Sequence, residues 1–291
     1  MSTKKALKWV GFWMALAIVF NIGILLIEGP AKASQFLGGY VIELSLSVDN
    51  LFLFLILFSS FGIKPAYQRR VLNYGIFGAI VLRFIFIVLG ITLVNKIHFI
   101  LYIFGVILII SGFKMMFGHE KPVDHRDNKV LKIMGKFLPM TDKMHEEKFF
   151  IVENGKKYAT PLLAILVLIE SSDILFAIDS IPAIFSISTD PFIVYTSNIF
   201  AILGLRSLYF VLGALQERFK YVKYGVALIL VFTGVKLGIL YFDLEIPIVA
   251  SLLTIFAILV GSVIFSVFKS KGEDNKKKEV ELKKVRPLKM Y

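Results

Sequence analysis

The sequence predicts an all-α membrane protein of about eight transmembrane helices, with two inverted three-helix repeats formed by helices 2–4 and 5–7. Three observations lead there. The 291 residues are 57% hydrophobic with a mean hydropathy of +0.77, far above what a water-soluble domain carries. Apolar runs recur that are long enough to cross a hydrocarbon core, which takes about 20 residues. The acidic residues that interrupt these runs occur twice in one arrangement.

Eight spans are expected at about 7–27, 37–61, 71–94, 97–117, 161–186, 192–213, 224–242 and 246–268. The first lacks a small-residue cleavage site and is long for a signal-peptide core, so it is read as a helix that stays. The net charge of +12 resembles a nucleic-acid signature until it is mapped. Lys and Arg fall in the N-terminal segment (three), Lys64 to Arg70 (three), 118–160 (nine), Arg218 to Lys223 (three) and after Phe268 (nine). The other four connections hold only Lys32 and Lys96. With eight spans, all five basic regions lie on one side, which the positive-inside rule makes cytoplasmic with both termini inside. The charge is therefore a topology signal. No aromatic-interleaved basic motif is present, and no nucleic-acid partner is expected.

The resulting organisation is 1–117 for helices 1–4 with the first repeat, 118–160 for a cytoplasmic loop, 161–268 for helices 5–8 with the second repeat, and 269–291 for a basic cytoplasmic tail. Within the loop, NKVLKIMGKF at 128–137 alternates basic and apolar residues at helical spacing, as a helix on a membrane surface does. Asn154-Gly155 between two β-prone runs signals a hairpin. The tail from Lys269 is polar, charged and expected to be disordered.

The repeat is carried by ordered matches. LRFIFIVLG from Leu82 matches LRSLYFVLG from Leu205, and ISGFKM from Ile110 answers FTGVKL from Phe232. Glu43 precedes Asp49 by six positions, as Asp173 precedes Asp179, and each second Asp is followed by a small polar residue, Asn50 or Ser180. Three spans per copy give the copies opposite polarity, a transporter signature. Helices 1 and 8 fall outside the repeat and are expected at the periphery.

The acids carry the chemistry. A mid-bilayer carboxylate costs about 3 kcal/mol, so Glu43, Asp49, Glu170, Asp173 and Asp179 together represent roughly 15 kcal/mol if they face lipid. They are expected to face one another, a cation or a cavity. Six residues on a helix turn about 600°, which leaves the paired acids about 120° apart on a continuous helix. Either each helix is packed on several sides or it breaks near the acid, and Pro182 favours a break in the second copy. Carboxylates, Asn50, Ser180 and backbone carbonyls form an all-oxygen set suited to Mn²⁺, Mg²⁺ or Ca²⁺. The chain has no cysteine, and its four histidines (His98, His119, His125, His145) lie at or beyond helix ends, which argues against zinc or copper. Arg83 and Arg206, half-way along their helices, are expected to balance the acidic charge, with a snorkelling position fitting Arg83 better than Arg206. Lys114 and Lys236 are read as snorkelling near the basic side. Ser45, Ser47, Ser171, Ser172 and Asn198 are read as packing residues.

With these residues in view, the chain resembles the TerC family of bacterial membrane proteins, in particular its Alx-like branch. The likeness is densest in GYVIELSLSVDN, QRRVLNYG, GAIVLR, YATPLL and FAIDSIPAIFSISTDPFIVYTSNIFAILGLR. Longer members carry a further N-terminal helix, so their terminal topology is not carried over. The resemblance implies a bacterial cytoplasmic-membrane protein that exports Mn²⁺, with Glu43, Asp49, Asn50, Glu170, Asp173, Asp179 and Ser180 as metal-site residues. Mn²⁺ is then cargo, and no organic cofactor and no catalytic residue are expected. No nucleotide-binding motif is present, so an ion gradient, with protons as candidate counter-ion, would drive export. Two other readings stand beside it: a membrane partner that helps insert or metallate other proteins, and an intramembrane hydrolase built on a carboxylate dyad. Transport of tellurite, the family's historical association, fits five acids poorly because they repel an anion.

Overall fold

A computed structural model describes residues 3–97, 99–118, 128–141, 147–153, 155–215, 219 and 221–285. Within them, eight helices are long and apolar enough to cross a membrane. In chain order they are α1 (Thr3–Glu28), α2 (Pro30–Ser60), α3 (Pro65–Lys96), α4 (Ile100–Phe117), α6 (Pro161–Phe185), α7 (Pro191–Leu215), α8 (Val222–Ile239) and α9 (Ile248–Val285). The loop adds a short helix α5 (Lys129–Phe137) and the strands β1 (Phe150–Glu153) and β2 (Lys156–Ala159). Four of the long helices open on proline, at Pro30, Pro65, Pro161 and Pro191. A proline at the first helical position loses no hydrogen bond and presets φ.

α4 packs most extensively on α8, α2 on α7 and α3 on α6, with α1 against α7 and α2, and α9 against α8 and α2. The outer faces of α1 and α9 are the most open to the surroundings, so both sit at the periphery of the bundle. Exchanging α2–α4 for α6–α8 turns the α2–α7 contact into α6–α3 and leaves α4–α8 unchanged.

Two apolar clusters divide the interior along the helix axes. One gathers Ile42 and Leu46 of α2, Ile87 and Ile91 of α3, Ile181 and Phe185 of α6, and Val194 of α7. The other gathers Leu51 to Phe58 of α2, Val71 and Leu72 of α3, Leu162 to Ile169 of α6, and Tyr209 and Leu212 of α7. Between them each of the four helices carries polar residues: Glu43 to Asn50, Arg83, Glu170 to Asp173, and Asn198 to Arg206. The polar belt is thus flanked by hydrocarbon on both sides.

In the loop, α5 forms where its alternation predicts, capped by Asn128, whose side chain accepts from the Val130 amide at 2.9 Å. Leu131 is buried against the α6 end of the bundle, whereas Ile133 and Phe137 stay exposed. β1 and β2 pair antiparallel, Glu153 opposite Lys156, with Gly155 at φ 73°. Asn154 lies outside the described residues, as do the four histidines.

Three expectations need correction. α6 is not broken near its acids: it runs through Pro182 to Phe185, because a proline in the last turn removes only one hydrogen bond close to where the helix ends anyway. As far as Val285 the tail is not irregular, since α9 continues to that residue; the Glu273–Lys277 and Glu279–Lys283 spacings in the sequence and its strong helix formers favour that continuation. Lys236 does not snorkel on the basic side. It is 7% exposed, lies near the C-terminal end of α8 and feels the charge of Glu245. That end is opposite the one where α4 places Lys114.

The α6–α7 turn is fastened by Asp190. Its Oδ1 accepts from the amides of Phe192 (2.9 Å) and Ile193 (3.3 Å), and its Oδ2 meets Lys32 Nζ at 3.2 Å. Partial burial pushes the carboxyl up, but the Lys32 ammonium and the Ile193 and Phe192 amides outweigh it and hold the pKa below the ordinary aspartate value. A depressed folded value stabilises above the unfolded pKa of about 3.9 and is lost as pH falls through the folded one. Asp190→Ala is expected to cost about 1 kcal/mol at neutral pH, the worth of a cap. Thermal unfolding in detergent should show that difference shrink below pH about 4; a difference constant with pH would contradict it.

Candidate functional site

The polar belt centres on Arg83. The helix α3 delivers this guanidinium into the bundle, where it is 6% exposed. It reaches both oxygens of the wholly buried Glu43 carboxylate of α2: Nη1 donates to Oε2 at 2.9 Å, and Nη2 stands 2.7 Å from Oε1 as an ion pair. Such a fork is the strongest geometry a carboxylate can offer arginine. Nη1 also donates to Ser180 Oγ of α6, and to Asn198 Oδ1 of α7 at 3.2 Å. One cation therefore ties four helices. Ser47, one turn below Glu43, adds a bond to Oε1 at 3.3 Å. Asn198 is fixed in turn by donating to the Val194 carbonyl at 2.7 Å.

Glu43, Ser47, Asn50, Arg83, Asp173 and Arg206 line one internal cavity with about 30 Å³ of free space. That holds a water or a small ion and little more. Asp173 feels the charges of Arg83, Glu170 and Glu43. Two carboxyl groups and two guanidiniums line this space. Arg206 donates to Asn73 Oδ1 at 2.7 Å, and no carboxylate pairs with it among the described residues.

The remaining predicted residues lie elsewhere. Asp179 points to α4, where Ser111 Oγ donates to its Oδ1 at 2.7 Å and Lys114 adds positive charge. Glu170 lies against α3 at Gly78, where a Cβ would overlap its carboxylate and turn that side chain aside. Asp49 belongs to α2, but its side chain lies outside the described residues. Among the described residues no three acidic or histidine side chains converge as a closed metal cluster. The acids are instead spread along the belt.

Burial reverses the snorkelling reading. Arg83 is enclosed because four helices offer it acceptors, whereas Arg206 is half-buried and reaches an exposed Asn73. Ser45, Ser171 and Ser172 bond to carbonyls of their own helices, at Val41 and Leu168, as packing residues do. Ser47 and Asn198 join the charged network instead. Ser111 and Asn73 went unread; the signal for Ser111 was its place beside the repeated Gly-x-Lys.

A family model described as "Integral membrane protein TerC family" matches residues 28–274. The chain belongs to the TerC family. This TerC protein is 47% identical over 285 residues to "Putative membrane-bound redox modulator Alx" of Escherichia coli strain K12, covering 95% of the chain and 88% of that relative. It is 46% identical over 268 residues to "Uncharacterized membrane protein STKORF319" of Myxococcus xanthus, covering 92% and 84%. It is 42% identical over 269 residues to an uncharacterized membrane protein of Rickettsia bellii, covering 92% and 89%. No solved structure matches.

Proposed function

We propose that this TerC protein is a secondary active transporter that exports Mn²⁺ across the bacterial cytoplasmic membrane, with protons as the counter-ion. One observation carries the reading: α2 and α6 bring Glu43 and Asp173 to a single cavity, with apolar clusters on either side of it along the helices. A polar site at mid-depth between two repeats is where transporters of this architecture hold their cargo. The donors are hard oxygens, suited to a divalent cation of the Mn²⁺ and Mg²⁺ class. In this state Arg83 holds Glu43, so cargo or protons enter by displacing that guanidinium.

The two halves supply the alternation. The inverted-repeat reading is supported by the exchange symmetry of the helix contacts. The repeat makes Arg206–Asp173 the counterpart of Arg83–Glu43. Only the Arg83 pair is closed here, which describes one of two related states. The basic connections support placing both termini in the cytoplasm. We assign no enzymatic role; among the described acids Glu43 is held by Arg83 and Asp179 by Ser111. The redox description of the relatives does not imply thiol chemistry here, because the chain has no cysteine.

The test is Mn²⁺ accumulation in everted membrane vesicles. Asp173→Asn should reduce proton-driven uptake to the level of vesicles lacking the protein. Wild-type flux in that variant, or wild-type flux after the proton gradient is collapsed, contradicts the proposal.

A further inference from the structure

Beside that cavity, and sharing Arg206 with it, lies a larger and basic one. It measures about 540 Å³, within the range of sites that take small organic ligands, and runs between α1, α3 and α7. Lys5, Arg69 and Arg206 line it, with Trp9, Trp13 and Asn73, and among the described residues no acidic one is in its walls. Lys5 stands at the start of α1 and Arg69 in the first turns of α3, both at the end of the bundle that bears the basic connections. Arg206 lies nine residues inside the end of α7, about 14 Å deeper at 1.5 Å per residue.

A guanidinium at that depth is costly without an anion, and Arg206 has only the neutral Asn73 as its described partner. The two tryptophans stand one turn apart on α1, giving the cavity an apolar side wall. Such rings characteristically sit at headgroup level. Basic pockets between transmembrane helices suit phosphate-bearing headgroups, and arginine binds phosphate with paired donors.

We propose that this cavity is a binding site for a phosphate-type anion, with Arg206 at its floor and Lys5 and Arg69 at its mouth. An anionic phospholipid headgroup and free inorganic phosphate share the required chemistry. The site stands independently of the transport reading, because its test reads binding and not flux.

The test uses the purified full chain in detergent, delipidated and then offered phosphatidylglycerol, phosphatidylcholine or inorganic phosphate. Retained lipid is read by native mass spectrometry and stabilisation by thermal unfolding. Phosphatidylglycerol should be retained in preference to phosphatidylcholine, and Lys5→Gln/Arg69→Gln should weaken its retention about tenfold. If inorganic phosphate stabilises the wild type but not the double variant while neither lipid is retained, the anion is free phosphate at the same site. Equal retention of the two lipids with no phosphate response would overturn the site. So would an equal loss on neutralising Lys276, Lys277 and Lys278 in the tail, which would mean diffuse attraction to the basic face.

Discussion

Arg83→Met is expected to destabilise the protein by about 3–5 kcal/mol, the cost of leaving one member of a buried ion pair without its partner. Glu43 is wholly enclosed, and its remaining described partner would be Ser47 at 3.3 Å. Ser180 and Asn198 would lose their shared donor in the same step. Unfolding in detergent, followed by heat or denaturant, reads the effect. Adding Glu43→Gln should recover most of the loss, because a neutral amide costs far less to bury than an unpaired carboxylate. Arg83→Lys should recover less, since an ammonium cannot reproduce the fork that spans both carboxylate oxygens. An unchanged stability in Arg83→Met would show that Glu43 is not held as a carboxylate by this pair. The double variant separates stability from transport: a stable protein without Mn²⁺ flux assigns the pair to the transport cycle as well as to the fold.

The same pair shows what local patterns can and cannot reveal. Among the described residues apolar run length located every helix long and apolar enough to span a membrane, yet several N-terminal edges moved outward. The second span was expected at 37–61 and α2 is Pro30–Ser60; the third was expected at 71–94 and α3 is Pro65–Lys96. Helices continue past the hydrocarbon boundary until a backbone signal stops them, and here those signals are the prolines and Gly29, at φ 90°. That Glu43, Arg83 and Asp173 belong to the polar interior was legible from the cost of charge in lipid. Their partners were not. Arg83 meets residues 40, 97 and 115 positions away, and such contacts depend on helix rotation, which run length does not encode. The broken-helix expectation failed for a related reason: Pro182 was weighed without its distance from the helix end. The unread Asn73 is exposed on α3 and acquires meaning only once Arg206 of α7 reaches across to it.

Replacing Gly105 or Gly234 with alanine is expected to force α4 and α8 apart. A Cβ on Gly105 would stand 2.8 Å from the Gly234 carbonyl oxygen, and one on Gly234 would stand 2.6 Å from the Gly105 carbonyl oxygen. One turn pair further on, a Cβ on Gly112 would come within 2.7 Å of the Ala227 oxygen. Real Cβ atoms do not approach a backbone oxygen that closely, and a backbone yields less readily than a side chain. Close contact between small residues is a main source of helix adhesion in lipid, where no hydrophobic force draws helices together. Each single change should cost about 1–3 kcal/mol, the usual range for overpacking. The double change should cost less than the sum, since one separation of the helices relieves both clashes. Gly11 and Gly261, with nothing near their Cβ positions, serve as controls that alanine should leave unchanged or slightly stabilise. Thermal unfolding of the five variants decides the matter, and strict additivity of the pair would contradict the reciprocal contact. A Gly112 substitution also reaches the polar belt, because Ser111, which holds Asp179 of α6, directly precedes Gly112 and would move with a displaced α4. Loss of Mn²⁺ flux in Gly112→Ala, with Gly11→Ala active, would tie the α4–α8 seam to the acid that it positions.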